Sequence, residues 1–446
     1  MTHRVQVTPT VGTTPRAAPA APGAPDDHGG LAEAVYLLGG VAGALSRLSR
    51  SGGGGTLPGR VVLRLLPDAA TRLSHARRLL LVSGTNGKTT TTRMLASALA
   101  GLGPVLSNSD GANQASGLVS TLMRGRRRPT DPAVLEVDEI ALPAAVVQLV
   151  PSVVVLLNLS RDQLDRTGEV AAHVDRWQAA LRQAPTTVVV ANADDPLVTA
   201  AVLGARPDSD QVVWVGAGQP WRADAVLCPV CGAPWAAATA AYSCGVCGFT
   251  RPETAWGTSG GDVLAPGPLS LPADLRLPGR ANVANAAMAA AAAACLGVDP
   301  REALPRMRAV TDVEGRYRQA SHNGCEVRLL LAKNPAGWAE VLAQLADRRT
   351  PVVLAVNARS ADGLDPSWLW DVPFEQLQGR TVVAAGERAA DLSVRLLYAG
   401  VAHTMTADAL DGIDPGQGRS WDVAANYTAF TRVRDRLRGA AAGQPA

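Results

Sequence analysis

The run Gly84-Thr85-Asn86-Gly87-Lys88-Thr89-Thr90 holds the residue types that bind a triphosphate. Its glycines let backbone N–H groups fold around phosphate oxygens. Lys88 can bridge β- and γ-phosphates, and the Thr89 hydroxyl can ligate Mg²⁺. A glycine commonly stands two places before Gly84, where this chain has Val82, so the loop is shorter than the general pattern. Glu136 closes a strand-like run, Ala133–Val137. A carboxylate at that end of a parallel strand lies on the crevice side and offers Mg²⁺ a hard oxygen ligand. Asp138 and Glu139 follow, and a solvated acidic turn accounts for them equally well.

Cys228-x₂-Cys231-x₁₂-Cys244-x₂-Cys247 forms two knuckles, each followed by a glycine (Gly232, Gly248). Four thiolates complete a tetrahedral zinc site and leave no open position, which predicts a structural metal. Cys295 and Cys325 read as core residues. The cluster Arg124-Gly125-Arg126-Arg127-Arg128 is either a solvated loop or a surface for an anionic substrate or membrane. Only two of the 42 basic residues are lysines, Lys88 and Lys333. Arginine replaces lysine wherever charge alone suffices, so a surviving lysine marks a place that needs a compact ammonium.

The elements that position these groups follow from periodicity. Strand-like runs at Arg77–Ser83, Ala133–Val137, Ser152–Leu157, Thr186–Ala191 and Gln211–Val215 alternate with helical stretches, the first being Thr89–Leu102. That pattern predicts an α/β fold with a mostly parallel sheet. Helices are expected near 281–309. After Val310 the alternation restarts, with strands at Cys325–Ala332, Pro351–Val356 and Arg380–Ala385 and helices at Pro335–Ala346 and Glu387–Tyr398. Residues 1–29, rich in Pro, Ala, Thr and Gly, read as a disordered extension. Leu31–Leu48 has apolar residues at helical spacing, and Ser51–Gly55 reads as a flexible break. The N-terminus lacks a signal-peptide core and no 18-residue apolar run occurs, which leads to the expectation of a cytoplasmic protein without a transmembrane segment. A net charge of +3 argues against a polybasic nucleic-acid binder.

The phosphate loop and Glu136 come with three further runs: Asn158-Leu-Ser-Arg-Asp-Gln-Leu-Asp165, Asn192-Ala-Asp-Asp-Pro196 and Gly279-Arg-Ala-Asn282-Val-Ala-Asn285. Together they resemble the Mur ligases and folylpolyglutamate synthases, which phosphorylate a carboxylate with ATP and let an amine attack the acyl phosphate. Within that group the chain is similar to the MurT family, the synthetase subunits of lipid II isoglutaminyl synthase. Three features carry this closer resemblance. They are the four-cysteine insertion, the short stretch before Arg77, and the signature Lys333-Asn-Pro-Ala-Gly337 with Asn357-Ala-Arg-Ser-Ala-Asp-Gly-Leu-Asp365 and Asn426-Tyr-Thr-Ala429.

The resemblance implies a Mur-ligase-type central domain over 30–310, a zinc ribbon inserted at 225–252, and a smaller Rossmann-like α/β domain over 311–446 that contacts a partner. It implies that ATP, Mg²⁺ and structural Zn²⁺ are bound. Gly84 to Thr90 would hold the triphosphate, and Thr89 and Glu136 the magnesium. Asn282 would read the adenine, Arg316 would open the second domain, and Lys333 would face the phosphate after closure. Asn108, Gly111 and Asn113 would lie on the substrate side. The Asp162 region has Gln163 where many Mur ligases have histidine, and no nearby lysine could be carbamylated. The implied partner is GatD, a class I glutamine amidotransferase whose Cys–His pair is completed by an aspartate from the synthetase subunit. Asp362 and Asp365 are the candidates, with Asp362 preferred for its Ala-Asp-Gly turn. The implied substrate is lipid II at the inner membrane surface. Two alternatives remain: a free-standing amino-acid ligase, and a P-loop ATPase whose ribbon binds nucleic acid. The unbasic ribbon argues against the second.

Overall fold

The computed structural model describes residues 29–48, 55–108, 111–161, 170–206, 209–218, 224–236, 242–311, 317–346 and 349–442. The extension expected over 1–29 lies outside these residues except for Gly29, which opens the first helix. Most of the expected break at 51–55 also lies outside them. So does Arg316, and so does the Asp162–Asp165 stretch.

Nine strands form one sheet: β1 (Leu79–Ser83), β2 (Leu106–Ser107), β3 (Ala133–Glu136), β4 (Val153–Leu156), β5 (Val188–Asn192), β6 (Val212–Gly216), β7 (Trp256–Ser259), β8 (Asp262–Ala265) and β9 (Leu269–Pro272). Their spatial order is β2-β3-β1-β4-β5-β6-β7-β8-β9. Pairing is parallel as far as β7, and β7-β8-β9 is an antiparallel meander. All five residues of β1 are buried. A central parallel strand is covered on both faces, so it reads as an unbroken apolar run. Leu79 and Leu81 pack into a core with the helices Ala115–Arg124, Leu142–Leu149 and Val170–Gln183. Leu80 and Val82 point the other way, toward Met94 and Leu95 of the helix Lys88–Leu99 and the alanine face Ala286–Ala293 of the helix Arg280–Ala294. Alternate side chains of a strand face opposite sides, which splits the core in two. The alanines keep the second face thin, so the helix after the phosphate loop and the helix Arg280–Ala294 lie close together.

Six strands form the second sheet: β10 (Tyr317–His322), β11 (Cys325–Leu331), β12 (Val352–Ala355), β13 (Val382–Ala385), β14 (His403–Met405) and β15 (Ser420–Ala425). Their order is β10-β11-β15-β12-β13-β14, parallel except for the β10–β11 hairpin. Trp338, Leu342, Leu392 and Leu396 from the helices Pro335–Ala346 and Ala389–Tyr398 pack on one face. Phe430, Val433 and Leu437 of the helix Tyr427–Ala442 pack on the other. The helices 57–65 and 69–74, the meander β7–β9 and the strands β10, β14 and β15 are additions to the sequence-based pattern.

Candidate active site

β1 lies between β3 and β4, where the strand order turns back, and the crevice beyond its C-terminal end is the expected ligand site of such a sheet. The phosphate loop fills that position. Gly84 has φ +142° and Gly87 has φ +86°. A Cβ at Gly84 would stand 2.9 Å from the Asn158 backbone nitrogen, and one at Gly87 would stand 2.6 Å from Asn285 Oδ1. Only glycine fits either place. The end of β4 shapes the loop from the side. Asn158 Oδ1 accepts from the Asn86 N–H at 2.8 Å, and Asn158 Nδ2 donates to Asn86 O at 3.0 Å. Thr85 Oγ1 accepts from the Ser160 N–H at 3.0 Å. Gly87 caps the helix Lys88–Leu99 without any side-chain acceptor, so its first-turn N–H groups remain available to an anion.

Lys88 is buried, and its Nζ donates to Gly84 O at 2.7 Å and Thr85 O at 3.2 Å. It also forms an ion pair with Glu139 Oε2 at 2.9 Å. Glu139, equally readable as part of a solvated turn, is thus the counter-ion of the loop lysine. Its side chain is only 12% exposed. Glu136 is buried at the end of β3, beside Val82 of β1. Asn113 Nδ2 donates to its carboxylate at 3.2 Å, and Asn108 pairs with its backbone in both directions at 2.8 Å. Thr89 and Glu136 each carry oxygen donors, the ligand type that Mg²⁺ takes.

A cleft between the two sheets runs past the other side of the loop. Asn86, Gly87, Thr90, Asn282 and Asn285 line one wall, and Tyr317, Lys333, Gly337 and Glu340 line the facing wall. Leu157, Leu277, Pro278 and Met288 add apolar surface. A concave site with mostly apolar walls and a few amides fits a nucleotide base. Asn282 Nδ2 donates to Pro278 O at 2.6 Å, which fixes its amide at the cleft edge. Burial raises the Glu340 carboxyl above its usual range, and Arg280 partly offsets this. Lys333 is exposed, with Nζ 5.2 Å from the centroid of the Tyr427 ring.

Two polar contacts join the two sheets' parts of the chain. Asn86 and Asn334 exchange amide hydrogen bonds at 3.3 Å in both directions. Asn334 Oδ1 also accepts from the Gly337 N–H at 2.9 Å and so caps the helix Pro335–Ala346. Arg161, beyond β4, pairs with Asp371 of the second sheet's domain at 3.1 Å as well as with Asp224. Asn158, Ser160 and Asn334 stand in runs that carry the family resemblance, but neither they nor Asp371 are assigned a role in the site from the sequence. For Asn158 and Ser160 the available signal was their place just after β4, next to the phosphate-loop strand.

The candidate aspartates differ sharply. Asp362 is buried: Oδ1 accepts from the Thr428 N–H at 2.8 Å, and Oδ2 accepts from the Thr428 hydroxyl and from the Arg359 N–H at 3.3 Å. It ties the Asn357–Asp365 segment to the start of the helix Tyr427–Ala442. Asp365 is exposed, and its carboxylate takes the Ser367 N–H at 2.8 Å and hydroxyl at 2.9 Å. Those bonds hold its carboxyl below the ordinary range.

The four cysteines lie between β6 and β7. Their sulfurs all fall within 4.8 Å of one another, and none forms a disulfide. Cys228 Sγ is 3.7 Å from Cys247 Sγ, and Cys231 Sγ is 3.5 Å from Cys244 Sγ. A tetrahedron with Zn–S bonds of 2.3 Å has edges of about 3.8 Å, so the set matches zinc. The N–H groups of Cys247 and Val246 lower the Cys244 thiol to about 6, whereas burial raises Cys228, and burial and the neighbouring thiols raise Cys231 to about 12, so without a metal the four thiols share few negative charges. Tyr242 anchors the ribbon to the large sheet's domain through its hydroxyl, 2.9 Å from Ala193 O and 2.7 Å from Thr199 Oγ1. Arg251 adds an ion pair to Asp194 at 2.7 Å.

Comparison with known proteins places this architecture. Residues 82–225 match the Mur ligase middle domain, and residues 331–430 match the MurT ligase C-terminal domain. The chain is 31% identical over 436 residues to the lipid II isoglutaminyl synthase (glutamine-hydrolyzing) subunit MurT of Streptococcus pneumoniae, covering 90% of this chain and 96% of that protein. This chain belongs to the MurT family. The Staphylococcus aureus MurT subunit is 30% identical over 372 residues, covering 78% of this chain and 84% of that protein. Among solved structures, MurF from Acinetobacter baumannii shares the fold with a TM-score of 0.62 at 17% identity, covering 85% of this chain and 80% of that one. Mycobacterium tuberculosis folylpolyglutamate synthase complexed with ADP gives a TM-score of 0.58 at 17% identity, covering 93% and 99%. The MurT C-terminal match spans Lys333, Asn334, Asp362, Asp365 and Asp371, so it includes both candidate aspartates and the cleft's second wall apart from Tyr317 and Leu330. As in the MurT-type reading of the sequence, the fold is a Mur-ligase-like α/β architecture with a four-cysteine cluster inserted in the larger part.

Proposed function

We propose that this MurT-family ligase amidates the α-carboxylate of D-glutamate in the lipid II stem peptide, on the cytoplasmic side of the membrane. In this reading ATP transfers its γ-phosphoryl group to the carboxylate. Ammonia made from glutamine by a GatD-like class I amidotransferase then attacks the acyl carbon, phosphate leaves, and D-isoglutamine results. The observation that carries the reading is the cleft itself: a Mur-type phosphate loop faces, across one crevice, a wall that belongs mostly to the MurT C-terminal match.

The roles proposed for individual residues follow from charge and position. Gly84, Thr85, Asn86, Gly87 and Thr90 shape the triphosphate cradle, and Lys88 turns from Glu139 to the phosphates. Thr89 and Glu136 would hold Mg²⁺, which offsets negative charge on the phosphoryl oxygens. Asn282 contacts the base. Lys333 and Arg316 approach from the second domain when it closes. The stretch 30–310 carries the nucleotide chemistry, 225–252 the zinc ribbon, and 311–446 the partner contact. Asp362 or Asp365 completes the partner's catalytic pair by fixing its histidine's tautomer. Asp365 is the one a partner reaches without loosening the Thr428 cap.

The test is co-expression with a neighbouring class I amidotransferase, followed by mass spectrometry of lipid II after incubation with ATP, Mg²⁺ and glutamine. A mass change of one amide for one acid is expected. A purified complex that leaves lipid II unamidated refutes the reading.

A further inference from the structure

The first helix, Gly29–Leu48, is built inside out. Its inward face carries Ala32, Val35, Tyr36 and Gly39, which pack into the large sheet's core. Gly39 lets the neighbouring helix Leu57–Leu65 come close, since a Cβ there would stand 2.7 Å from a Val62 methyl. The outward face carries larger apolar groups. Leu31, Leu38, Val41 and Leu45 recur at helical spacing and are 56–65% exposed, with Leu37 beside them at 54%. The face contains one acid, Glu33, and that is paired with Arg126 at 2.9 Å.

Arginines border this stripe on the edge that carries Glu33. Arg126 ties the helix to the loop bearing Arg127 and Arg128, both exposed. Exposed apolar groups in one continuous stripe mark a binding surface. A stripe flanked by arginines complements a surface that is apolar within and anionic at its edge. Among the described residues no helix is long and apolar enough to cross a membrane.

We infer that the outer face of Gly29–Leu48, with Arg127 and Arg128, docks the protein on an anionic lipid surface. The leucines enter the boundary between headgroups and acyl chains, and the arginines pair with lipid phosphates. The inference uses none of the catalytic assignments.

The test is co-sedimentation of the full chain with vesicles of phosphatidylcholine alone or mixed with phosphatidylglycerol, without lipid II or nucleotide. Binding to the anionic vesicles and its loss in high salt are expected. The pair Leu38→Glu and Val41→Glu should lower the partition coefficient at least about tenfold. Arg127→Ala and Arg128→Ala should lower it about fivefold each, the effect of one basic residue near a charged leaflet. Circular-dichroism melts matching the wild type would show that the variants fold. If the leucine and valine changes impair folding, the arginine variants decide the matter. Failure of the wild type to bind, or equal binding by the arginine variants, overturns the inference. So does a wild-type oligomer that Leu38→Glu with Val41→Glu converts to a monomer, since the face is then a protein interface. Lipid amidation plays no part in the readout, so the ligase reading stands or falls separately.

Discussion

Replacing Lys88 should affect stability as well as chemistry, and the two effects can be separated. Lys88 and Glu139 are 2.9 Å apart, with side chains 10% and 12% exposed. Removing one partner of a buried pair costs about 3–5 kcal/mol, mostly because the other charge is stranded. The crevice is not wholly dry, so Lys88→Met should lower unfolding free energy by about 2–4 kcal/mol. Adding Glu139→Gln removes the stranded charge and should restore at least about half of that loss. The assay is urea unfolding followed by tryptophan fluorescence on the two single variants and the double variant. ATP turnover should be absent in both Lys88 variants, whatever their stability. Glu139→Gln alone should bind ATP more tightly, because the lysine no longer has to leave a counter-ion to reach the phosphates. Lys88→Met with unchanged stability, or Glu139→Gln with weaker ATP binding, would refute the counter-ion argument.

Metal analysis of the purified chain should find about one zinc per molecule, lost in a Cys228→Ser, Cys231→Ser variant; a folded, metal-free wild type would rule the site out. Asp362→Asn should lower unfolding free energy by about 1–2 kcal/mol by weakening the helix cap at Thr428, whereas Asp365→Asn should change it by less than about 0.5 kcal/mol. Glutaminase assays of the complex then show which aspartate serves the partner, and activity untouched by both changes removes the shared-triad proposal. Lys333→Arg keeps its charge and its place over Tyr427 yet should slow amidation, because a guanidinium cannot replace a compact ammonium at a phosphate. Unchanged kcat in that variant would leave the scarcity of lysine without a catalytic meaning.

The first sheet was largely legible because its strands are buried on both faces and therefore read as plain apolar runs. Leu79–Ser83 and Val153–Leu156 differ from the sequence-based bounds by one or two residues at the ends. The meander β7–β9 was not legible: its strands have four residues each, and glycines at 260 and 261 interrupt the pattern. Helical spacing marked the first helix but not its orientation. Small residues at Ala32 and Gly39 take the close packing, so the larger groups at Leu31, Leu38 and Leu45 remain outside. Glycines and a lysine announced the phosphate loop. Its partners could not be read in the same way, because Asn334 meets Asn86 across 248 residues and an isolated amide carries no spacing signal.

The position of β15 has a consequence for how the protein is made. Ser420–Ala425 is inserted between β11 and β12, so a strand from late in the chain holds the middle of the second sheet. The residue that Asp362 caps, Thr428, comes later still. A nascent chain can complete the phosphate loop and the first sheet while the second sheet is still two unjoined fragments. The cleft therefore acquires its second wall only once residues 420–442 have left the ribosome. Until then the apolar edges of β11 and β12 are open, and a ribosome stalled in the last tenth of the message would release a chain with an intact phosphate loop and no second wall.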